Sequence, residues 1–169
     1  MCNISDDMNK ILINNTLKIL IVMFLFPAVC SSEISAADYD NSIRYKNLGQ
    51  FNLANRIYYL ALKNDNNDIK ALYGLADSFY RQHNFKDSLE WLNKVIDIDP
   101  TYKDALLLRA RLYMFDKKWQ FALNDYLSVN NSNPEIGDVY LELNDVYLKL
   151  GDENSANKAL QDYNKLNTK

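Results

Sequence analysis

Few side chains of this sequence are suited to acid–base or nucleophilic chemistry. His83 is the only histidine among 169 residues, so any Ser-His-Asp or Cys-His set would depend on this one imidazole. The only cysteines, Cys2 and Cys30, precede the main part of the chain, which leaves that part without a thiolate zinc site or a disulfide. We therefore expect His83 to be a polar residue of a turn and not a catalytic base.

Motifs that bind phosphate or metal ions are also missing from the sequence. The four glycines lie far apart, so no glycine-rich loop is available to wrap a phosphate. The stretch 64–68 (NDNND) is rich in side-chain oxygens, but it lacks the glutamate that an EF-hand places at its twelfth position. The sequence thus predicts no cofactor and no bound metal, and it makes 64–68 a turn between two structural units.

The overall composition is typical of one helical domain. The chain has 48% hydrophobic and 24% charged residues, with only four glycines and three prolines, and so few chain breakers favour long helices over strands and tight turns. The formal net charge is −3, which argues against a nucleic acid partner held by its phosphates.

The N-terminal part of the chain carries the features of a secretion signal. Residues 19–30 (ILIVMFLFPAVC) are twelve positions without a charge, which fits a secretory hydrophobic core and is short of the roughly 20 residues that span a membrane. Lys10 and Lys18 precede this core. Small residues then predict cleavage after Ala37, with a second candidate site around Cys30.

Two other uses of this segment stay open. Cys30 could be lipidated, although the residues before it fit a bacterial lipobox poorly, or the segment could stay uncleaved and anchor the chain in a membrane. The acidic first residues are unusual for a signal, so Met8 is an alternative initiator to Met1. We expect an exported protein in a bacterial periplasm or another extracytoplasmic space, with residues 1–37 as signal or anchor and 38–169 as the folded domain.

A 34-residue period runs through the rest of the chain. One position of this period holds Gly49, His83, Lys117 and Gly151. Relative to it, aromatic residues recur four positions earlier, small residues five positions later and large residues nine positions later. These three sets are Tyr45, Phe79, Tyr113 and Tyr147; Ala54, Ser88, Ala122 and Ala156; and Tyr58, Leu92, Tyr126 and Leu160. Such self-similarity without insertions is the sequence signature of a repeat architecture.

Each repeat predicts two helices joined by a short turn. Apolar residues recur at steps of three and four, as in Leu72, Leu75 and Phe79, which describes one buried stripe of a helix. The small residue of the period lets a second helix approach closely, and the aromatic residues fill the space beside it. Pro100 and Pro134 are expected to end the second helix of their repeats. Since one helical hairpin cannot bury both of its faces, successive repeats must stack.

This pattern resembles the tetratricopeptide repeat, and the second copy (LYGLADSFYRQHNFKDSLEWLNKVIDIDP) carries the resemblance best. The resemblance implies an all-α fold, a right-handed α-solenoid of four helix–turn–helix repeats at about 35–68, 69–102, 103–136 and 137–169. Single residues that depart from the family pattern weaken their repeats and leave the register intact. They are Asn41, Asn66, Arg109, Asn144 and Glu153.

In the family that this chain resembles, the first helix of each repeat lines a concave groove that captures a peptide or helix of another protein. Carried over position by position, the resemblance builds this groove from aromatic, aliphatic and a few charged side chains. They are Tyr39, Ile43, Tyr73, Asp77, Tyr80, Arg81, Arg111, Met114, Phe115, Asp145 and Leu148. Tyr80 and Arg111 are the expected hot spots. Three leucines, Leu107, Leu108 and Leu141, fit either the groove or the packing between repeats.

The resemblance also narrows the partner. Family members that clamp the acidic tails of cytosolic heat-shock chaperones use Lys and Asn at five groove sites. The corresponding residues here are Tyr39, Ile43, Gly74, Asp104 and Leu108, so that clamp is missing.

The end of the array is expected to be polar. Asn157 and Asn164 stand where apolar residues would pack on a following repeat. We therefore expect repeat four to be a self-capped end and the four repeats to be a complete array.

The expected function is that of an exported scaffold without enzyme activity, which binds a protein or peptide during cell-envelope assembly or secretion. Membrane contact is expected only through residues 1–37 if they stay uncleaved. The alternatives are a self-associating structural repeat protein that forms homo-oligomers, the accessory domain of an enzyme system, and a eukaryotic luminal protein glycosylated at Asn130.

Overall fold

The computed structural model describes residues 34–168, and this part of the chain forms eight α-helices in four pairs. The first helices of the pairs are α1 (Ala36–Asn47), α3 (Ile69–Arg81), α5 (Lys103–Phe115) and α7 (Gly137–Leu150). The second helices are α2 (Phe51–Asn64), α4 (Phe85–Ile98), α6 (Trp119–Ser132) and α8 (Glu153–Asn167). Each helix packs mainly on the helices that precede and follow it in the chain, as stacked hairpins require.

The N-terminal segment that predicts a signal lies almost entirely outside the described residues. Helix α1 begins at Ala36, so cleavage after Ala37 would remove its first two residues. Among the helices between residues 34 and 168, none is long and apolar enough to cross a bilayer.

The turn inside each pair forms at the position that defines the period. Gly49, His83, Lys117 and Gly151 all have positive φ angles, between 59° and 79°. In each turn the next amide N–H donates to the carbonyl of the aromatic residue five positions back, at 2.8–2.9 Å, and so ends the first helix in a Schellman motif. His83 is a turn residue, as predicted, in a conformation that glycine adopts more easily.

The second helices end where the sequence predicts. Asp99 and Asn133, which precede the two prolines, have non-helical φ angles of −128° and −142°. Helix α2 ends at the equivalent place without a proline, because Asp65 is extended and its Oδ1 accepts the N–H of Asn67 at 2.9 Å. The departure at Asn66 therefore leaves the helix end in place.

Apolar residues of repeats two to four form two buried clusters, one between repeats two and three and one between repeats three and four. The first includes Leu72, Ala76, Leu92, Val95, Ala105, Leu108 and Leu112, and the second includes Leu106, Leu123, Tyr126, Val129, Val139, Leu143 and Val146. Repeat one instead buries the ring of Tyr58 against Gly74. A Cβ at Gly74 would lie 2.4 Å from that ring, so the glycine is what allows this close approach.

Two of the residues that depart from the family pattern make hydrogen bonds that compensate for their polarity. Asn144 Nδ2 donates to the carbonyl of Ala156 at 2.9 Å and so links α7 to α8. Arg109 donates to both carboxylate oxygens of Asp125 at 2.8 Å and to Asn93 Oδ1 at 2.9 Å. Buried polar groups are tolerated when they are paired in this way.

Candidate functional site

The first helices of repeats one to three line two adjoining hollows, which we call the groove. The hollow beside α1 has a volume of about 350 Å³, and its lining includes Tyr39, Ile43 and Tyr73. The hollow between α3 and α5 has a volume of about 460 Å³, and its lining includes Tyr73, Asp77, Tyr80, Arg81 and Arg111. Because Tyr73 lines both, the structure brings seven of the eleven predicted groove residues to one surface.

Asp77 is the centre of a charge network at this surface. Its carboxylate forms an ion pair with the ammonium of Lys46, and both side chains are largely buried. Arg81 Nε donates to Asp77 Oδ1 at 3.2 Å from the next turn of α3. Asp77 therefore joins α1 to α3, and it holds Arg81 at the rim of the groove with about half of that side chain exposed.

Arg111 is held from the opposite side by the fourth repeat. Its Nε donates to Glu142 Oε1 at 3.2 Å, while the hydroxyl of the buried Tyr126 donates to Glu142 Oε2 at 3.0 Å. The Arg111 side chain keeps 49% of its surface exposed. A guanidinium that is oriented by a carboxylate but still open to solvent is ready to accept a further acidic or carbonyl partner.

Two tyrosine hydroxyls of the groove, those of Tyr73 and Tyr39, have a raised pKa. Burial raises the pKa of Tyr73, and the carboxylates of Asp77 and Asp104 raise it further. Burial also raises the pKa of Tyr39, whose hydroxyl donates to the carboxylate of Asp68. These groups act as neutral hydrogen-bond donors and as apolar surface.

The other four predicted groove residues lie outside the two hollows. Phe115 is 69% exposed, and its ring centroid lies 4.9 Å from that of Phe85. Met114 is half-buried against the apolar cluster of repeats three and four. Asp145 and Leu148 are exposed on α7.

The structure places the three leucines that were predicted to lie either in the groove or in the packing between repeats in three different environments. Leu108 is buried in the apolar cluster of repeats two and three, although its edge reaches the groove. Leu107 lines the groove and also packs on the next cluster. Leu141 is 39% exposed on α7.

Sequence reasoning missed several groove residues, and Lys46 is the most important of them. Lys46 lines the first hollow and holds Asp77. It stands at the same place in the 34-residue period as Tyr80 and Met114, which were predicted. The period alone was therefore sufficient to find it. The other missed lining residues, all in the first hollow, are Ala36, Asp40, Tyr58, Lys70 and Tyr102, whereas Gly74 and Asp104 were named only as positions of the missing clamp.

The histidine and the acidic side chains of the described part of the chain form no metal site. His83 is exposed at its turn, and its nearest ring neighbour is Phe85, with centroids 5.8 Å apart. Within residues 34–168, His, Cys, Asp and Glu side chains form no group of three that could hold a metal ion.

These features define a class: an all-α repeat solenoid with an aromatic and charged groove along its first helices. Residues 47–112 match the tetratricopeptide repeat family. A stretch of 55 residues is 39% identical to a DnaJ homolog subfamily C member 3 homolog of Dictyostelium discoideum, covering 32% of this chain and 11% of that protein. This chain thus spans only about a tenth of that relative.

Solved structures of MamA are similar over most of this chain. One MamA structure superposes with a TM-score of 0.71 and 22% identity, over 80% of this chain and 74% of MamA. MamA from Desulfovibrio magneticus superposes with a TM-score of 0.68 and 20% identity, over 78% and 74% of the two chains. At these identities the likeness concerns the fold alone. The fold is that of an all-α tetratricopeptide-repeat solenoid, which confirms the fold predicted from the sequence.

Proposed function

We propose that this chain is a scaffold that holds a segment of another protein in the groove along α1, α3 and α5. The observation that carries the proposal is the pair of adjoining hollows joined by Tyr73. Together they combine aromatic and apolar surface with charged side chains of both signs, several of them held in ion pairs, and such a surface suits the binding of a helix or an extended peptide.

The chemistry of the groove supports binding rather than reaction. The hydroxyl of Tyr73 is a neutral donor whose pKa is raised by burial, and Asp77 is held in ion pairs with Lys46 and Arg81. Arg111 is oriented by Glu142 and exposed. Such pre-ordered side chains lower the entropy cost of holding a partner.

We further propose that the scaffold works outside the cytoplasm, in envelope assembly or secretion. This part of the proposal rests on the uncharged residues 19–30 and on the small residues up to Ala37. Sequencing the N-terminus of the protein isolated from its cell tests it. A chain that starts at Met1 or Met8 and stays in the cytoplasm would contradict export.

The test of the groove is a pair of matched double variants. Tyr80→Ala with Arg111→Ala removes an aromatic and a cationic group from the second hollow. The matched control, Lys86→Ala with Gln120→Ala, changes exposed residues on the second helices. Each protein would carry an affinity tag in its own cell, and chemical crosslinking with mass spectrometry would quantify the captured partner.

We expect the groove variant to lose at least 90% of the crosslinked partner, because a double hot-spot truncation typically costs more than 2 kcal/mol, about 30-fold in affinity. The control should capture as much partner as the unchanged protein, and circular dichroism should show equal helix content in all three. Equal capture by the groove variant and the control would contradict the groove assignment.

A specific observation also favours self-association as a second function. Phe115 and Leu148 are 69% and 53% exposed, and Phe121 is 59% exposed. Exposed large apolar side chains mark an interaction surface where they form one contiguous patch. Light scattering over a hundredfold concentration range tests this alternative, and a monomer throughout would exclude it.

A further inference from the structure

A further hollow lies along α2, at the end of α3, and shares no lining residue with the groove. Its volume is about 530 Å³, and we call it the outer hollow. One stripe of α2 and the end of α3 line it, namely Asn52, Asn55, Arg56, Tyr59, Leu60, Lys63 and Phe79.

The first unusual feature of the outer hollow is Asn55. Only 9% of this residue is exposed, and its Oδ1 finds no hydrogen-bond donor within residues 34–168. At the same place in the period, repeats two and three have Leu89 and Leu123, which pack against the apolar clusters. A buried amide oxygen without a partner destabilises the fold, so packing alone does not account for an asparagine at this position.

The second feature is the charge of the outer hollow. Arg56 and Lys63 are exposed on one face of α2, and neither forms an ion pair with another described residue. None of the residues that line the hollow is acidic. Two cations beside an apolar surface favour an occupant that brings carboxylates.

The equivalent positions one repeat later are occupied by a polar network of the chain itself. Arg109 pairs with Asp125 and Asn93 and lies over the ring of Tyr113 at 5.8 Å. Tyr113 and Asn93 are the equivalents of Phe79 and Tyr59 in the period. The first repeat pair has no such side chain, because Leu75 stands at the position of Arg109 and is fully buried.

The walls of the outer hollow are aromatic and partly exposed. Tyr59 keeps 47% of its surface exposed, and its ring meets the edge of Trp91 with centroids 6.0 Å apart. Leu60 is also 47% exposed, and Phe79 is half-buried at the floor. This surface accepts a large apolar side chain, whereas a free anion or a small polar ligand would leave it uncovered.

We propose that the outer hollow binds a short segment of a partner protein in which an apolar or aromatic residue is flanked by acidic residues. The apolar side chain packs on Tyr59, Leu60 and Phe79, and Asn55 Nδ2 donates to a backbone carbonyl of the segment. The flanking carboxylates pair with Arg56 and Lys63. This is a second protein-binding site, separate from the groove.

The probe is a blocked, fluorescein-labelled hexapeptide, Asp-Glu-Leu-Phe-Glu-Asp, titrated with the full chain and followed by fluorescence anisotropy. Two control peptides replace the acidic residues by Lys or the Leu-Phe pair by Ala-Ala. We expect saturable binding of the first peptide that weakens as salt is raised, and at least tenfold weaker binding of both controls. Equal binding of the three peptides would overturn the proposal.

Charge-reversal variants locate the binding. Arg56→Glu with Lys63→Glu should weaken the hexapeptide at least tenfold. Lys149→Glu with Lys165→Glu makes the same change in net charge at exposed residues of repeat four and should stay within twofold of the unchanged chain. Equal losses in both variants would show a general charge effect and would overturn the site.

Asn55→Leu separates a binding role from a mere packing defect. If the amide serves the partner, this variant unfolds at higher denaturant concentration but binds the hexapeptide at least fivefold more weakly. Higher stability with unchanged binding would overturn the role of Asn55. Tyr80→Ala with Arg111→Ala should leave hexapeptide binding unchanged, which keeps this test independent of the groove.

The same charge-reversal variant tests two other possible occupants of the outer hollow, a membrane surface and a second copy of this chain. The first test measures binding of the full chain to vesicles with one quarter anionic lipid. If the unchanged chain binds these vesicles, Arg56→Glu with Lys63→Glu does not, and the hexapeptide fails to bind, the result would overturn the proposal in favour of a membrane surface. Concentration-dependent sedimentation that the same variant abolishes would overturn it in favour of a second copy of this chain.

Discussion

The first and third repeats join their C-terminal neighbours through different chemistry at the same places in the period. In repeat one, the hydroxyl of Tyr39 donates to Asp68, and Lys46 forms an ion pair with Asp77. In repeat three, the equivalents of the first pair are Leu107 and Ile136, which both pack against an apolar cluster. The 34-residue register therefore fixes where the helices meet, and the residue types decide whether the contact is polar or apolar.

Repeat two lies between these extremes. Its equivalents of Tyr39 and Asp68 are Tyr73 and Tyr102, whose ring centroids are 5.4 Å apart. The contact thus changes from hydrogen-bonded to aromatic to aliphatic along the array. In a solenoid, stability is roughly a sum of repeat and interface contributions, so the polar first interface is expected to open before the others.

Breaking the buried ion pair of repeat three should have the largest effect. Asp125 is 5% exposed and is paired with Arg109, so Asp125→Ala leaves a largely buried guanidinium without its counter-charge. We expect a loss of about 3–5 kcal/mol in the free energy of unfolding, measured in urea.

Arg109→Leu with Asp125→Leu is the control for this variant. Replacing both partners by apolar residues should restore most of the lost stability. If the double variant is as unstable as Asp125→Ala, the ion pair of Arg109 and Asp125 itself stabilises the array. Repeat three would then depend on polar contacts as repeat one does, and the contrast between the two repeats would be smaller than we infer.

Placing an asparagine in repeat three, at the position that Asn55 occupies in repeat one, should have the next largest effect on the free energy of unfolding. Leu123→Asn places an amide in the apolar cluster at the position equivalent to Asn55, and we expect a loss of about 2–4 kcal/mol in urea unfolding. The reverse change, Asn55→Leu, should increase stability by about 1 kcal/mol. Equal and small effects at both positions would mean that the two interfaces do not differ.

Lys46→Met tests the polar interface on its own. It removes one partner of the mostly buried Asp77 and should lower the opening free energy of the first repeat by about 1–3 kcal/mol. Hydrogen exchange should become faster in α1 and α2 and stay unchanged in α6 and α7. Uniformly faster exchange in all four repeats would contradict separate opening of the first repeat.

The smallest effect concerns Tyr126, which donates to Glu142 at the interface of repeats three and four. Burial raises the pKa of Tyr126, and Glu142 raises it further. Its contribution to stability is therefore complete below the unfolded tyrosine pKa of about 10 and is lost as pH rises through the folded value.

Tyr126→Phe tests this contribution. It should cost about 1 kcal/mol at pH 7, and it should make the alkaline loss of stability above about pH 10 less steep in thermal melts. An unchanged alkaline slope would mean that other tyrosines, such as Tyr73, account for it.

Most of the fold could be predicted from the sequence, because the same local signals for helices and turns recur in each repeat. The positive φ angles at Gly49, His83, Lys117 and Gly151 all fall on the position that was used to align the repeats. The helix ends before Pro100 and Pro134 follow from the geometry of proline itself. Much of the groove was predictable for the same reason, since register places one face of each first helix on one surface.

The sequence by itself thus determined the helix pairs and turns of residues 34–168, since these depend on local spacing, while the resemblance to the tetratricopeptide repeat implied the face along which the groove runs. Only the tertiary structure decided which charges meet: Lys46 with Asp77, Arg109 with Asp125, and Arg111 with Glu142. It also decided that Asn55 Oδ1 is buried without a donor from residues 34–168. These contacts join residues 16 to 31 positions apart in the chain, so they depend on how neighbouring helices pack and how far each side chain reaches, which no local pattern records.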